Sequence, residues 1–150
     1  MKTKPALIDH IGWDLRRATR AWKDRFVRNM VKGGFAWFGE ARGTLVQHVG
    51  RDGILQTDLT RKSGLSKQAV QQHLDDLVRD EVLERVPDPS DARRKIIRFT
   101  EKGFAALTVA NAVKEEIDRD YAKLVGEADM EALRRALNLI GNNGNGEGAP

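Results

Sequence analysis

Apolar residues Ile8, Ile11, Leu15, Ala18, Trp22 and Phe26 follow one another at intervals of three or four. That spacing predicts a helix over about Leu7–Val31 with one continuous apolar stripe, which needs a surface to bury against. Gly33-Gly34 ends it. A second helix is expected over Ala36–Val49, burying Phe38, Ala41, Leu45 and Val49, with Gly39 and Gly43 weakening it. After a turn at Gly50–Gly53, Ile54-Leu55 suits a short strand and Gln56–Ser63 a short helix. Ser63-Gly64-Leu65 then turns the chain, and Ser66 can cap a helix reaching about Asp80. Val82–Val86 and Lys95–Phe99 pattern as strands around a tip at Pro87–Asp91. Thr100 can open a long helix to about Val125, and Met130, Leu133, Leu137 and Ile140 mark a last helix over Asp129–Ile140. From Gly141 to Pro150 the chain has nothing to bury, and a disordered tail is expected.

The stretch Gly64–Gly103 is a helix-turn-helix followed by a two-stranded wing. The fold class is therefore mainly α with a small β-wing. In the helix after Ser66, Val70, Leu74, Leu77 and Val78 share one third of the circumference and face the core. Gln68, Gln72 and Arg79 lie opposite, Gln71 and Asp75 flank them, and Lys67 occupies the first turn. Amide side chains on such a face suit base reading, because Gln can bond adenine N6 and N7 together. On an isolated helix the same face would be ordinary solvated surface; the turn before it and the wing after it favour the DNA reading. In the wing, Arg93 and Arg94 stand on a proline-stiffened tip suited to a narrow minor groove. Asp91 beside them would repel phosphate, so its expected use is to hold an arginine in one rotamer; the plainer alternative is a surface ion pair of little energetic weight.

Charge distribution sharpens this picture more than the net value of +4. Residues 16–32 hold seven basic side chains against Asp24 alone, and the wing adds Arg93, Arg94, Lys95 and Arg98 against Asp91. Positive charge is thus concentrated in two places, as on a phosphate-tracking surface. The chain has no cysteine, which removes disulfides, thiol catalysis, thiol redox sensing and Cys-ligated zinc. His10, His48 and His73 are far apart in sequence, so no metal site is expected, and His73 fits the edge of the helix-turn-helix core. No P-loop, dinucleotide glycine motif or Ser/His/Asp arrangement is present, so neither an enzyme nor a cofactor is implied. No apolar run approaches a membrane span, and a cytoplasmic protein is expected.

Leu59–Gly103 resembles the winged helix-turn-helix of the multiple-antibiotic-resistance regulator (MarR) family. The likeness rests on Gly64-Leu65-Ser66, on Val82-Leu83-Glu84-Arg85, on Pro87–Lys95 with its Asp-x-Arg-x-Lys pattern, and on Phe99-Thr100-Glu101-Lys102-Gly103. The resemblance implies that Asp91 orients Arg93, which enters the minor groove. It also implies a homodimer whose first and last helices interlock, in agreement with the stripes found above. Ser63 and His73 depart from positions usually apolar in this motif, and Leu55 stands where a capping Ser or Thr is common.

The resemblance further implies release from DNA by a small aromatic effector, for which Trp13, Trp22, Trp37 and Phe38 are candidate lining residues; core packing explains the same rings more simply. The expected organisation is one MarR-like domain over residues 1–140, with 36–100 as winged helix-turn-helix and 7–32 and 101–140 as dimerisation helices. The function expected is a DNA-binding transcription regulator, repressor rather than activator, dimeric on a pseudo-palindromic operator. Ser66, Lys67, Gln68, Gln71, Gln72, Asp91, Arg93 and Arg94 would contact or organise the contact with DNA. An architectural or polymerase-associated winged-helix protein of little specificity is the main rival, and a protein-interaction module without DNA binding is a third reading.

Overall fold

The computed structural model describes residues 4–143. Helix α1 spans Ile11–Lys32, a 3-10 turn Ala36–Gly39, and α2 Ala41–Val46. Strand β1 (Ile54–Leu55) leads into α3 (Gln56–Ser63) and α4 (Lys67–Arg79). Strands β2 (Leu83–Asp88) and β3 (Asp91–Phe99) form the wing, and α5 (Glu101–Val125) and α6 (Glu127–Asn143) complete the chain. The sheet is antiparallel in the order β1-β3-β2, with Ile54 opposite Ile97 and Leu83 opposite Phe99.

Four expectations need correction. Helix α1 begins at Ile11 rather than Leu7. Leu7 is 97% exposed and Ile8 is also exposed, so nothing in one copy offsets the cost of fixing that extra turn. The helix expected over Ala36–Val49 is broken into the 3-10 turn and α2, with Glu40 extended between them. Trp37 is buried there and stacks on Phe38 with ring centroids 4.1 Å apart, while Gly43 lets α2 lie against the Phe38 carbonyl, which a Cβ would meet at 2.7 Å. The wing strands run closer to the tip than expected, leaving only Pro89-Ser90 between them. Finally, α6 continues to Asn143, so Gly141, Asn142 and Asn143 are helical; the rest of the expected tail, 144–150, lies outside the described residues.

Packing divides the chain within α5, into a unit up to Val113 and another from Lys114 onward. In the first, Leu45, Val46, Leu59, Val70, Leu74, Leu77, Val82, Leu83, Ile97 and Phe99 form a buried core between α2, α3, α4 and the sheet. Arg42 ties the start of α2 to the end of α4, donating to Asp80 at 2.6 Å and to Glu40 at 2.6 Å. The junction of wing and α5 depends on Gly103, since a Cβ there would stand 2.1 Å from the Val82 carbonyl oxygen. Thr100 closes the same junction: its hydroxyl accepts from the Gly103 amide at 3.0 Å and donates to the Val82 carbonyl at 3.2 Å. In the second unit an Arg134–Asp118 ion pair joins α6 to the end of α5, while Leu133, Leu137 and Ile140 on α6 remain exposed.

Candidate nucleic-acid interface

The recognition helix is set by its two ends and one buried face. Gly64 adopts φ +65, the left-handed conformation that ends α3 and turns the chain toward α4. The Ser63 hydroxyl, in a position usually apolar, accepts from the Leu65 amide at 3.3 Å and so becomes part of the turn. Leu55 precedes α3 without a side-chain cap, as its identity requires. Ser66 caps α4 by accepting from the Ala69 amide at 3.1 Å. Val70, Leu74 and Leu77 are buried, Val78 and His73 half-buried, and Lys67, Gln68, Gln71 and Gln72 exposed.

The three glutamines are not equivalent. Gln71 accepts from the Gln56 amide at 2.9 Å and donates to Asp75 at 3.1 Å, and Asp75 also accepts from Arg85 at 2.7 Å. This chain links the start of α3, the middle of α4 and strand β2, so Gln71 is held as a brace. No hydrogen bond occupies Gln68 or Gln72 among the described residues, which leaves both amides free toward solvent. The sequence places Asp75 beside Gln71 on the flank of α4, but not Gln56 or Arg85, which reach them only because α3 and β2 pack beside α4.

In the wing, pairing passes from Pro87–Lys95 directly to Asp88–Asp91, so Ala92, Arg93 and Arg94 have no opposite residue on β2. This bulge turns the two arginines in different directions. Arg93 is 91% exposed, and its Nε and Nη2 donate to the two oxygens of Asp91 at 3.0 and 3.2 Å. The Asp91 carboxylate also accepts from the Arg93 amide at 3.1 Å. These bonds from Arg93 hold the Asp91 carboxyl below its ordinary range. Arg94 instead folds back and donates to Asp88 through Nε at 3.0 Å and Nη2 at 2.6 Å, leaving its side chain 49% exposed.

Asp88 is the residue that organises the tip. It is buried, and its other oxygen accepts from the amide and hydroxyl of Ser90 at 2.9 and 2.8 Å. Ser90 first and Arg94 second keep its carboxyl below the ordinary range. The sequence signal for it was the Asp-Pro-Ser run, which suits a turn closed by an Asp side chain. A cleft of about 440 Å³ then brings Lys67 at the start of α4 together with Arg93, Arg94 and Lys95 of the wing, floored by Gln56 and Thr57 of α3.

The aromatic candidates divide. Trp22 stacks on Phe26 at 5.2 Å, Phe26 meets Phe38 edge-on at 5.7 Å, and Phe38 stacks on Trp37. Trp13 stands apart, between His10 and Arg16. Among the described residues no group of His, Asp and Glu could hold a metal ion, and no helix is long and apolar enough to cross a membrane.

Comparison with known proteins agrees with this geometry. Residues 43–94 match the model of the MarR family. The transcriptional regulator TcaR of Staphylococcus aureus is 31% identical over 87 residues, covering 56% of this chain and 57% of the relative, so the match spans little more than half of either. The fold is that of solved MarR (TM-score 0.69, 18% identity, 91% of this chain and 98% of that one). It is likewise that of the repressor CouR bound to a 23-mer DNA duplex (TM-score 0.68, 24% identity, 88% and 92%). The segment carrying the recognition helix and most of the wing is therefore similar to the MarR family, and the chain shares the fold of the solved MarR structure.

Proposed function

We propose that this chain is a transcription regulator rather than an enzyme, binding double-stranded DNA as a homodimer on a pseudo-palindromic operator and acting as a repressor in the cytoplasm. One observation carries the reading: Lys67, at the start of the helix whose outer face bears the free amides of Gln68 and Gln72, shares a cleft with Arg93, whose guanidinium is bonded to both oxygens of Asp91. In this reading Ser66 sets the helix start, Lys67, Gln68 and Gln72 meet base edges, and Gln71 keeps the helix in register. Arg93 enters the flanking minor groove while Arg94 stiffens the tip. CouR, of the same fold, was solved on a DNA duplex, and TcaR is a regulator, both of which support the proposal.

Residues 36–100 would dock on DNA, and 7–32 and 101–140 would join the copies. The exposed apolar residues Ile11 and Trp13 on α1 and Leu133, Leu137 and Ile140 on α6 support a partner surface. A stable monomer by light scattering at micromolar concentration would refute the dimer. A small aromatic effector at Trp22, Trp37 and Phe38 would have to open rings that stack on one another, and quenching of tryptophan fluorescence by salicylate-like acids tests it. The functional test is a competition gel shift between a selected duplex and a scrambled one of equal composition. A regulator prefers the selected duplex by at least about a thousandfold; equal affinity would hand the assignment to an architectural protein.

A further inference from the structure

Helix α1 carries seven basic residues against two acids, Asp14 and Asp24, and Asp14 is paired with Arg17. The other long helices balance their signs, as in the pairs Arg119–Glu115, Lys123–Asp120 and Arg135–Glu131. Arg16, Arg20 and Lys23 fall within about 60° of one another around the helix and within about 10 Å along it. All three are exposed, and they line a shallow groove with Leu15, Thr19 and Asp24. Neither Arg20 nor Lys23 has an ion-pair partner among the described residues, and the Arg16 guanidinium is held 5.1 Å over the Trp13 ring.

The centre of this face lies about 110° around the helix from the centre of the apolar stripe of Leu15, Trp22 and Phe26, with Leu15 at the border between them. It therefore stays open when the stripe is covered. It is also separate from the DNA-reading surface, because α1 joins its unit through the 3-10 turn at Ala36–Gly39 and the Phe26–Phe38 contact.

We propose that this face holds the backbone of a second DNA duplex, so that a dimer seated on one duplex through α4 and the wing captures another through α1. The proposal rests on the DNA-binding reading above and adds bridging to it. Two arginine forks and a lysine match phosphate chemistry, and about 10 Å of duplex offers roughly six phosphates over both strands. A lipid surface would favour several apolar residues interleaved with the cations, whereas here Leu15 stands alone beside Thr19 and Asp24.

The test uses the full-length dimer, limiting, on beads carrying its selected operator, followed by a labelled random-sequence duplex at 50 mM salt. The wild type retains the second duplex, and the triple variant R16Q/R20Q/K23Q keeps operator binding but retains less than about a tenth as much. For three neutralised phosphates, raising salt fourfold lowers capture roughly 40-fold. Absence of capture by the wild type, or equal capture by the triple variant, overturns the proposal. So does capture of polyglutamate or phosphatidylglycerol vesicles in preference to the duplex. Should the dimer fail to load on the operator beads, the regulator reading fails by itself. Direct titration of the random duplex with wild type and triple variant then decides the α1 face: a weaker, salt-insensitive variant supports it, and equal affinities refute it.

Discussion

Replacing Gln72 with Ala removes a side chain that the fold does not use. It is exposed on the face of α4 opposite Val70, Leu74 and Leu77, and its amide has no hydrogen-bond partner among the described residues. Alanine is the better helix former by a few tenths of a kcal/mol, so the variant unfolds at the same or slightly higher denaturant concentration. If Gln72 reads adenine as proposed, the same change is expected to cost about 1–3 kcal/mol, or roughly 5- to 150-fold in discrimination, at each half-site. Because the side chain is neutral, non-specific affinity and the salt slope stay unchanged.

Gln71→Ala provides the contrast. It cuts the chain from Gln56 through Gln71 to Asp75, leaving α4 less firmly tied to α3. Stability falls by up to about 1 kcal/mol, and affinity falls for all sequences together. The assay is binding of both variants to a panel of single-base operator changes at two salt concentrations, alongside urea denaturation. If Gln72→Ala keeps the wild-type ranking of the panel, the outer face of α4 does not read bases at that position and the reasoning fails.

Further outcomes follow from the wing and its junction. Arg93→Ala lowers the salt slope by about one per protomer, and Asp91→Ala weakens binding although it removes a negative charge; tighter binding by Asp91→Ala would make phosphate repulsion its main effect. Asp88→Ala frees Arg94 and the turn at Ser90, so hydrogen exchange at the tip rises and affinity drops for every duplex. Asp88 and Asp91 both titrate below the ordinary value of 3.8, so what they contribute is present above it and is lost only as pH falls below it. Wing order by NMR is accordingly constant from about pH 5 to 8, and a loss within that window would contradict the clamps. Gly103→Ala pushes a Cβ to 2.1 Å from the Val82 carbonyl and costs at least about 2 kcal/mol in urea denaturation, since backbone rather than a flexible side chain must yield.

Helical spacing located α4 to within a residue and α5 as closely, because α4 buries one face throughout and α5 buries one as far as Ala122. It overran at Leu7 and across Gly39-Glu40, where the stripe continues in sequence but the chain has no surface, or no room, to continue the helix. The pairing of Asp91 with Arg93 was legible, since both bonds stay within two residues. The role of Asp88 was not, because it depends on a bulge that swings Arg94 back across the strand pair, and register skips leave no periodic trace. Nor did sequence show that Gln71 is occupied: its partners Gln56 and Arg85 come from other elements and meet it only after folding. Pro87, expected in the tip, sits in β2, which is an edge strand and can lose one amide donor without breaking the sheet.

In the proposed function two copies of α4 and the wing read a defined DNA sequence. Selection of bound duplexes from a random pool by the full-length protein, followed by sequencing, tests it most directly. The expected result is a consensus with two-fold symmetry, half-sites about one helical turn apart, and adenines at positions that Gln68→Ala and Gln72→Ala relax. A pool that remains without consensus, or a single asymmetric half-site bound by one copy, would contradict it.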